Sequence, residues 1–300
     1  MKLSSLIFDS AQSNNLLDLF TMAEMADRCG FERFWIGEHY EQKNLWNNPE
    51  PLIPIILGLT ERINVGAAGI LLKLHSPFRV ASSFKLLNTI FPDRVDLGFA
   101  AGYASREIID SLLGQNSSLK EPKDFFELIQ EIDSFYTKEA ENNDGILLNP
   151  NYKLNPRLWL LSTGFNRYEE SIMYGLNYSK SMFHSGANND FLLEELKIYK
   201  ERFYKKHNKL PIINLAFSGI LTQNSRETKK MKEKINDLSR FRFIKPNLIG
   251  TSQLFQDKIM EYRDKYDIDD FTFLDLSYEM TQRIENVENL SEVFKLRQAP

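Results

Sequence analysis

The order of elements along this sequence predicts a closed (β/α)8 TIM barrel with loop insertions. Three observations carry that expectation. Short apolar runs alternate with longer amphipathic stretches, giving eight strand candidates in 300 residues. Strict alternation of strand and helix implies a parallel sheet with helical crossovers. Eight such units are the size of one α/β barrel, so residues 1–300 are read as a single domain. A doubly wound open sheet would carry a glycine-rich turn after the first strand, where this chain reads Asp9-Ser10-Ala11-Gln12.

Each element follows from its local pattern. Leu3 to Phe8 reads as the first strand. Asn15 to Cys29 reads as a helix, with Leu16, Leu19, Phe20, Ala23 and Ala26 at helical spacing and Gly30 as its stop. Phe34 to Gly37 is the second strand, and Glu50 to Leu59 a helix with Pro51 in its first turn. Ile63 to Leu72 is the third strand, and its Gly66 and Gly69 indicate a bulge or a close backbone approach. A helix over Pro77 to Thr89 and a strand over Arg94 to Phe99 follow.

Ser105 to Leu113 and Asp124 to Ala140 read as helices, and the Asn- and Pro-rich Glu141 to Pro156 as exposed loop. The alternation resumes with strand Leu158 to Leu161, helix Arg167 to Tyr174, strand Tyr178 to Phe183, helix Phe191 to His207 and strand Ile212 to Leu221. Helices Arg226 to Ser239 and Ser252 to Tyr266, strand Phe271 to Leu276 and helix Met280 to Phe294 complete the chain.

Composition narrows the function classes. The chain is 42% hydrophobic and 26% charged, too apolar for a disordered chain. Lys and Arg number 37 against 41 Asp and Glu, and the net charge of −4 gives no electrostatic reason to expect nucleic acid or an anionic membrane. The single cysteine, Cys29, falls on a helix as a core residue, excludes an intrachain disulfide and suits a reducing compartment. No signal peptide is read, because Asp9 and Gln12 interrupt the apolar stretch after Met1-Lys2. The apolar stretch Leu52 to Leu59 is far shorter than the ~18 residues of a membrane helix. The expectation is a cytoplasmic protein.

In a barrel the chemistry sits on the loops after the strands. Glu38-His39-Tyr40 follows the second strand and offers a carboxylate, an imidazole and a phenol for proton transfer; the plainer alternative is a histidine that satisfies a loop carbonyl. Ser162-Thr163-Gly164-Phe165-Asn166-Arg167 follows the fifth strand and suits an anion, or simply caps a helix. Gly98-Phe99-Ala100-Ala101-Gly102-Tyr103 follows the fourth, where small residues let a flat ring or a phosphate approach the backbone. Phe99, Tyr103, Phe165, Phe183 and His184 are candidates to line an apolar cavity, or equally core. His75 lies in another of these loops, while His207 among Lys205, Lys206 and Lys209 reads as solvated surface. The histidines show no metal-ligand spacing, so no metal is expected.

Several segments, taken in order, resemble one family. They are Gly30-Phe31-Glu32-Arg33-Phe34-Trp35-Ile36-Gly37-Glu38-His39, Asn48-Pro49-Glu50-Pro51, Thr60-Glu61-Arg62-Ile63-Asn64-Val65-Gly66, His75-Ser76-Pro77-Phe78-Arg79-Val80-Ala81 and Phe91-Pro92-Asp93-Arg94-Val95-Asp96-Leu97-Gly98. Ile249-Gly250-Thr251 and Tyr266-Asp267-Ile268-Asp269-Asp270-Phe271 extend the set toward the C-terminus. The ordered set is similar to the bacterial luciferase-like flavin-dependent monooxygenases and covers nearly the whole chain.

That resemblance implies a barrel enzyme that uses O2 and reduced FMN, supplied by a separate flavin reductase, to oxidise a small organic substrate in specialised metabolism. It also implies a homodimer, with a helical face after the second or third strand at the interface. A sister branch uses a deazaflavin coenzyme for hydride transfer without O2, and some relatives of luciferase do not turn over.

Position by position, His39 would be the acid/base beside the flavin with Glu38 next to it, and Tyr40 stands where the family has a second histidine. Ala68 and Gly69 match a bulge behind the flavin ring that carries a non-proline cis peptide in the family. Ala101 replaces an arginine that contacts the FMN phosphate in luciferases, and the run Ala100-Ala101-Gly102-Tyr103 is similar to the deazaflavin branch. Arg167 falls at a family Ser or Thr phosphate contact, so Arg167 with the amides of Thr163 and Gly164 would replace the lost charge.

Overall fold

The structure is a computed structural model and describes residues 1–8, 15–40, 45–102, 106–113, 123–137, 148–150, 154–184, 191–235 and 244–296. Its strands are β1 (Lys2–Ile7), β2 (Arg33–Ile36), β3 (Asn64–Leu71), β4 (Val95–Ala100), β5 (Arg157–Ser162), β6 (Asn177–Ser181), β7 (Ile213–Leu221), β8 (Leu248–Gly250) and β9 (Asp270–Asp275). The helices are α1 (Leu17–Arg28), α2 (Ile53–Leu59), α3 (Pro77–Ile90), α4 (Arg106–Leu113), α5 (Phe125–Thr137), α6 (Tyr168–Tyr174), α7 (Leu193–His207), α8 (Ser225–Lys234), α9 (Ser252–Tyr266) and α10 (Met280–Phe294).

Each of the eight expected strands is present. β1 to β7 and β9 pair in parallel around a ring, with β6 bonded to β7 and β9 bonded to both β7 and β1. The closed eight-stranded barrel leaves no sheet edge in the ring. No helix among the described residues is long and apolar enough to cross a membrane.

β8 is an addition that the sequence pattern did not indicate. β6 pairs with β7 over Ile213 to Ala216, whereas β8 takes over at Gly219 to Leu221. Asn247 bridges the divergence: its N–H donates to Ser218 O at 2.9 Å, and its Nδ2 to Met182 O at 3.0 Å. A three-residue strand is too short to show an alternation of its own.

The first turn of α2 also differs from expectation. The helix starts at Ile53 with Pro54 in its first turn, so Pro51 precedes it. Proline fits either place, since neither position needs an intrahelical N–H. The ends of the helices expected over 105–113, 124–140 and 226–239, and most of the loop 141–156, lie outside the described residues.

Between β3 and β4 the register shifts from Ala67 to Ile70, where the Ala68–Gly69 peptide is cis, matching the expected bulge. A Cβ on Gly98 of β4 would stand 2.5 Å from Ala67 O, so this crossing tolerates no side chain there.

The lower end of the barrel is closed by charge. Arg33 at the start of β2 lies 2.6 Å from Asp270 Oδ2 and 3.3 Å from Asp96 Oδ2, all three side chains buried. Arg157 Nε and Trp159 Nε1 donate to Asp96 Oδ1 at 2.7 and 2.8 Å, and Asn214 Nδ2 to Asp270 Oδ1 at 2.6 Å. Mutual pairing is what makes these buried charges tolerable. With that end sealed, the opening is at the C-terminal ends of the strands.

Candidate active site

A cavity of about 540 Å³ occupies the C-terminal mouth of the barrel. Its position follows from strand alternation: every second residue points inward. Leu6 and Phe8 reach it from β1 and its end, Trp35 from β2, Leu161 from β5 and Ala216 from β7. Ala68, Gly69, Ala101 and Gly102 form the wall over β3 and β4. Their small side chains keep that wall close to the backbone.

Two polar arcs rim the apolar interior. Over β5 stand Ser162, Thr163, Asn166 and Arg167. The Arg167 guanidinium is oriented by the Phe126 ring of α5, 4.9 Å from its centroid. Gly164 is turned out of the cavity wall: its carbonyl accepts from Tyr178 Oη at 2.9 Å, and its N–H faces Ser162 Oγ at 3.3 Å. Over β6 stand Ser181 and His184, hydrogen-bonded at 2.7 Å between Oγ and Nδ1. Burial lowers the proton affinity of His184, and the charge of His39 adds to the effect.

Glu38 and His39 follow β2 on the opposite side of the ring. His39 is half-buried and packs edge-on to Phe8, with ring centroids 4.8 Å apart. Its loop is tied down by Asn47, whose Nδ2 donates to His39 O at 2.9 Å. Glu38 is buried, and two donors converge on its carboxylate. Leu71 N–H donates to Oε2 at 2.8 Å and His75 Nε2 lies 2.7 Å from Oε1, with the Tyr40 phenol beside the same group. For His75 burial opposes the charged form, but the bond to Glu38 and its charge prevail and the proton affinity rises. Burial, then Glu38, push the Tyr40 phenol up. The carboxylate therefore ties the end of β2 to the end of β3 and fixes the backbone on which His39 sits.

The sequence-derived set is brought together in part. Glu38, His39, Ala68, Gly69, Ala101, Gly102, Thr163 and Arg167 all line the one cavity, as do Phe183 and His184. Tyr103 lies outside the described residues. Of the five residues open to cavity or core, Phe99 and Phe165 go to the core, Phe165 in an aromatic cluster with Tyr178, Phe191 and Tyr199. Phe99 falls on the outward register of β4, which faces the helices. His207 is a correction, since it is no solvated side chain. It is half-buried against Phe203, its Nε2 2.7 Å from Ile172 O, because Gly175 leaves room for the ring.

Ser179, Ser181 and Thr272 also line the cavity and escaped the reading from sequence. A signal existed for the serines, which alternate with Tyr178 and Lys180 on one strand and so share its inward face. Phe126 had none, because its contact with Arg167 joins a helix to a distant loop. Among the described residues no group of three or more His, Cys, Asp or Glu could hold a metal ion.

Residues 4–134 match the family model described as luciferase-like monooxygenase. The uncharacterized protein YceB of Bacillus subtilis is 30% identical over 188 residues, which cover 61% of this chain and 55% of that protein. The chain thus spans about half the length of the curated relatives it matches first. Among solved structures, apo-MsnO8 superposes with a TM-score of 0.83 at 22% identity over 99% of both chains. The oxygenating constituent of 3,6-diketocamphane monooxygenase from Pseudomonas putida, in complex with FMN, gives 0.71 at 14% identity over 100% of this chain and 99% of that one. At these identities the structural likeness is one of fold.

Proposed function

We propose, from the premise that this chain is a relative of the luciferase-like monooxygenases, that it is a flavin-dependent monooxygenase acting on a small organic substrate with reduced FMN and O2. One observation carries the reading: Arg167, Thr163 and Asn166 rim an apolar cavity whose opposite wall presents His39. The residues present fit a flavin. The cavity of about 540 Å³ lies within the ~300–1,000 Å³ of cofactor pockets. Its apolar walls suit a flat ring system, and its arginine suits an anionic tail. A charge-assisted contact from Arg167 to phosphate contributes about 1.5–3 kcal/mol, which offsets an alanine at position 101.

When bound, reduced FMN would supply two electrons, so that one oxygen atom of O2 enters the substrate and the other leaves as water. The chain's own groups do the rest. Arg167, Thr163 and Asn166 would hold the phosphate, with Phe126 setting the arginine's angle. Ala68 and Gly69 would back the ring, with Ala101 and Gly102 beside it. Leu6, Phe8, Trp35 and Phe183 would exclude water. His39 would take and return a proton at the reacting face. Glu38, held by Leu71 N–H and His75, is a positioning residue for His39 rather than a proton carrier.

A separate flavin reductase would deliver the reduced cofactor, and the chain would work in the cytoplasm as a homodimer. Ile55 and Leu59 on α2 and Leu86 and Ile90 on α3 are exposed apolar side chains on neighbouring helices, which supports that face as the interface.

The test is titration of oxidised and reduced FMN into wild type and Arg167→Ala, followed by O2 uptake with a flavin reductase, NADH and a substrate panel. The reading expects micromolar or tighter FMN binding, weakened at least tenfold in the variant, and substrate-dependent O2 uptake. Binding of the deazaflavin coenzyme with FMN rejected would replace it by hydride transfer without O2. Binding of neither would make the barrel a non-catalytic relative.

A further inference from the structure

The loop that carries Thr163, Asn166 and Arg167 is held from behind by two buried side chains of β6. β6 alternates: Ser179 and Ser181 face the cavity, so Tyr178 and Lys180 point to the outer side of the barrel. Both return to the loop after β5. Tyr178 Oη donates to Gly164 O at 2.9 Å, and Lys180 Nζ donates to Thr163 O at 3.4 Å. Lys180 is fully buried, its Nζ 5.5 Å from the centre of the Phe191 ring, and Tyr178 is fully buried as well.

Two consecutive carbonyls of one loop are thus tied toward the outer face of β6. A trans peptide is planar, with its C=O and N–H on opposite sides. Fixing the oxygens of Thr163 and Gly164 turns the N–H groups of Gly164 and Phe165 the other way, away from that face. The same anchors fix the backbone from which Thr163, Asn166 and Arg167 reach the cavity rim. A lysine buried without access to water is costly unless it is bonded, so its place under this loop needs a reason beyond packing.

We propose that Lys180 and Tyr178 are positioning residues for a phosphate-binding loop, which they hold in the conformation that recognises the phosphate end of the flavin. The proposal rests on the flavin reading above and goes beyond it: it assigns phosphate selectivity to two side chains that do not line the cavity.

The experiment compares two probes that differ only at the phosphate, FMN and riboflavin, by fluorescence titration of wild type, Lys180→Met and Tyr178→Phe. Thermal melting of each protein without flavin runs in parallel. Wild type is expected to bind FMN at least tenfold more tightly than riboflavin. Each variant is expected to weaken FMN five- to twentyfold while riboflavin affinity changes less than twofold, so that the preference for phosphate collapses. A purely structural role would lower the melting temperature and weaken both flavins in proportion, and that result overturns the proposal, as does an unchanged preference in both variants. If Lys180→Met does not fold, Tyr178→Phe, which deletes one oxygen, decides alone by the same criterion. Wild type that binds neither flavin would overturn the flavin reading itself, a different outcome from proportional weakening.

Discussion

Oε1 of Glu38 lies 2.7 Å from Nε2 of His75, a contact between residues 37 apart in the chain. The carboxylate is fully buried and the imidazole mostly so, at 0% and 18% side-chain exposure. With Leu71 N–H on its other oxygen, Glu38 joins the C-terminal ends of β2 and β3 beside the cis Ala68–Gly69 peptide. The acidic residue of the Glu-His pair is thereby structural support for its neighbour.

A pH dependence of stability follows. Burial opposes the charged form of His75, Glu38 outweighs it, and the folded-state proton affinity exceeds the ordinary imidazole value near ~6.5. The pair's contribution is therefore full below that value and is lost as pH rises through the raised one. Urea unfolding of wild type and His75→Gln should differ by about 2 kcal/mol at low pH. The gap should narrow steadily as the pH rises from the ordinary imidazole value through the raised one. A difference that is flat in pH would refute the ion pair.

His184 should behave in the opposite sense. Burial first, and the charge of His39 second, depress its proton affinity. The chain has 4 histidines, so their imidazole resonances can be assigned by substitution. The His184 signal should titrate below ~6.5 and move only part of the way back in His39→Gln, because burial remains. Titration at or above the ordinary value would contradict the geometry of the Ser181–His184 wall.

Arg33 is the most consequential charge in the lower barrel. Its removal leaves Asp270 and Asp96 buried with one cation fewer. Arg33→Met should cost about 3–5 kcal/mol in urea unfolding. Adding Asp270→Asn should restore part of that loss, since it removes the uncompensated charge. Equal losses in the single and double variants would show that the pair is not coupled.

Gly98→Ala places a methyl group 2.5 Å from the Ala67 carbonyl, where neither strand can retreat. Overpacking of this kind costs about 1–3 kcal/mol. Gly58→Ala, with no atom within 4 Å of the added carbon, serves as the control and should be neutral or stabilising. The check is the difference in urea midpoint between the two.

The exposed face of α2 and α3 gives a prediction about assembly. Wild type should sediment as a dimer, and Leu59→Glu with Ile90→Glu should sediment as a folded monomer with an unchanged far-UV spectrum. Both side chains are about half exposed in the single chain, at 48% and 58%. A dimer that survives the double substitution would place the interface elsewhere.

The barrel itself was legible in the sequence. Most of its eight main strands are apolar-rich, the polar β6 being the exception, its helices are amphipathic, and each pattern depends only on the spacing of residues along the chain. The same alternation, with the rule that barrel chemistry sits after the strands, pointed to Glu38, His39, Thr163 and Arg167, and the family resemblance to Ala68 and Gly69; one cavity unites them. What each of those residues touches was decided by tertiary structure. Glu38 became an anchor because His75 and Leu71 arrive from the next strand. Arg167 is aimed by Phe126, and its loop is held by Tyr178 and Lys180 from the neighbouring strand. Phe99 and Phe165 went to the core, and His207 went under Gly175. Local spacing fixes which way a side chain leaves its own backbone, whereas its partners come from segments that only the closing of the ring brings within hydrogen-bond reach.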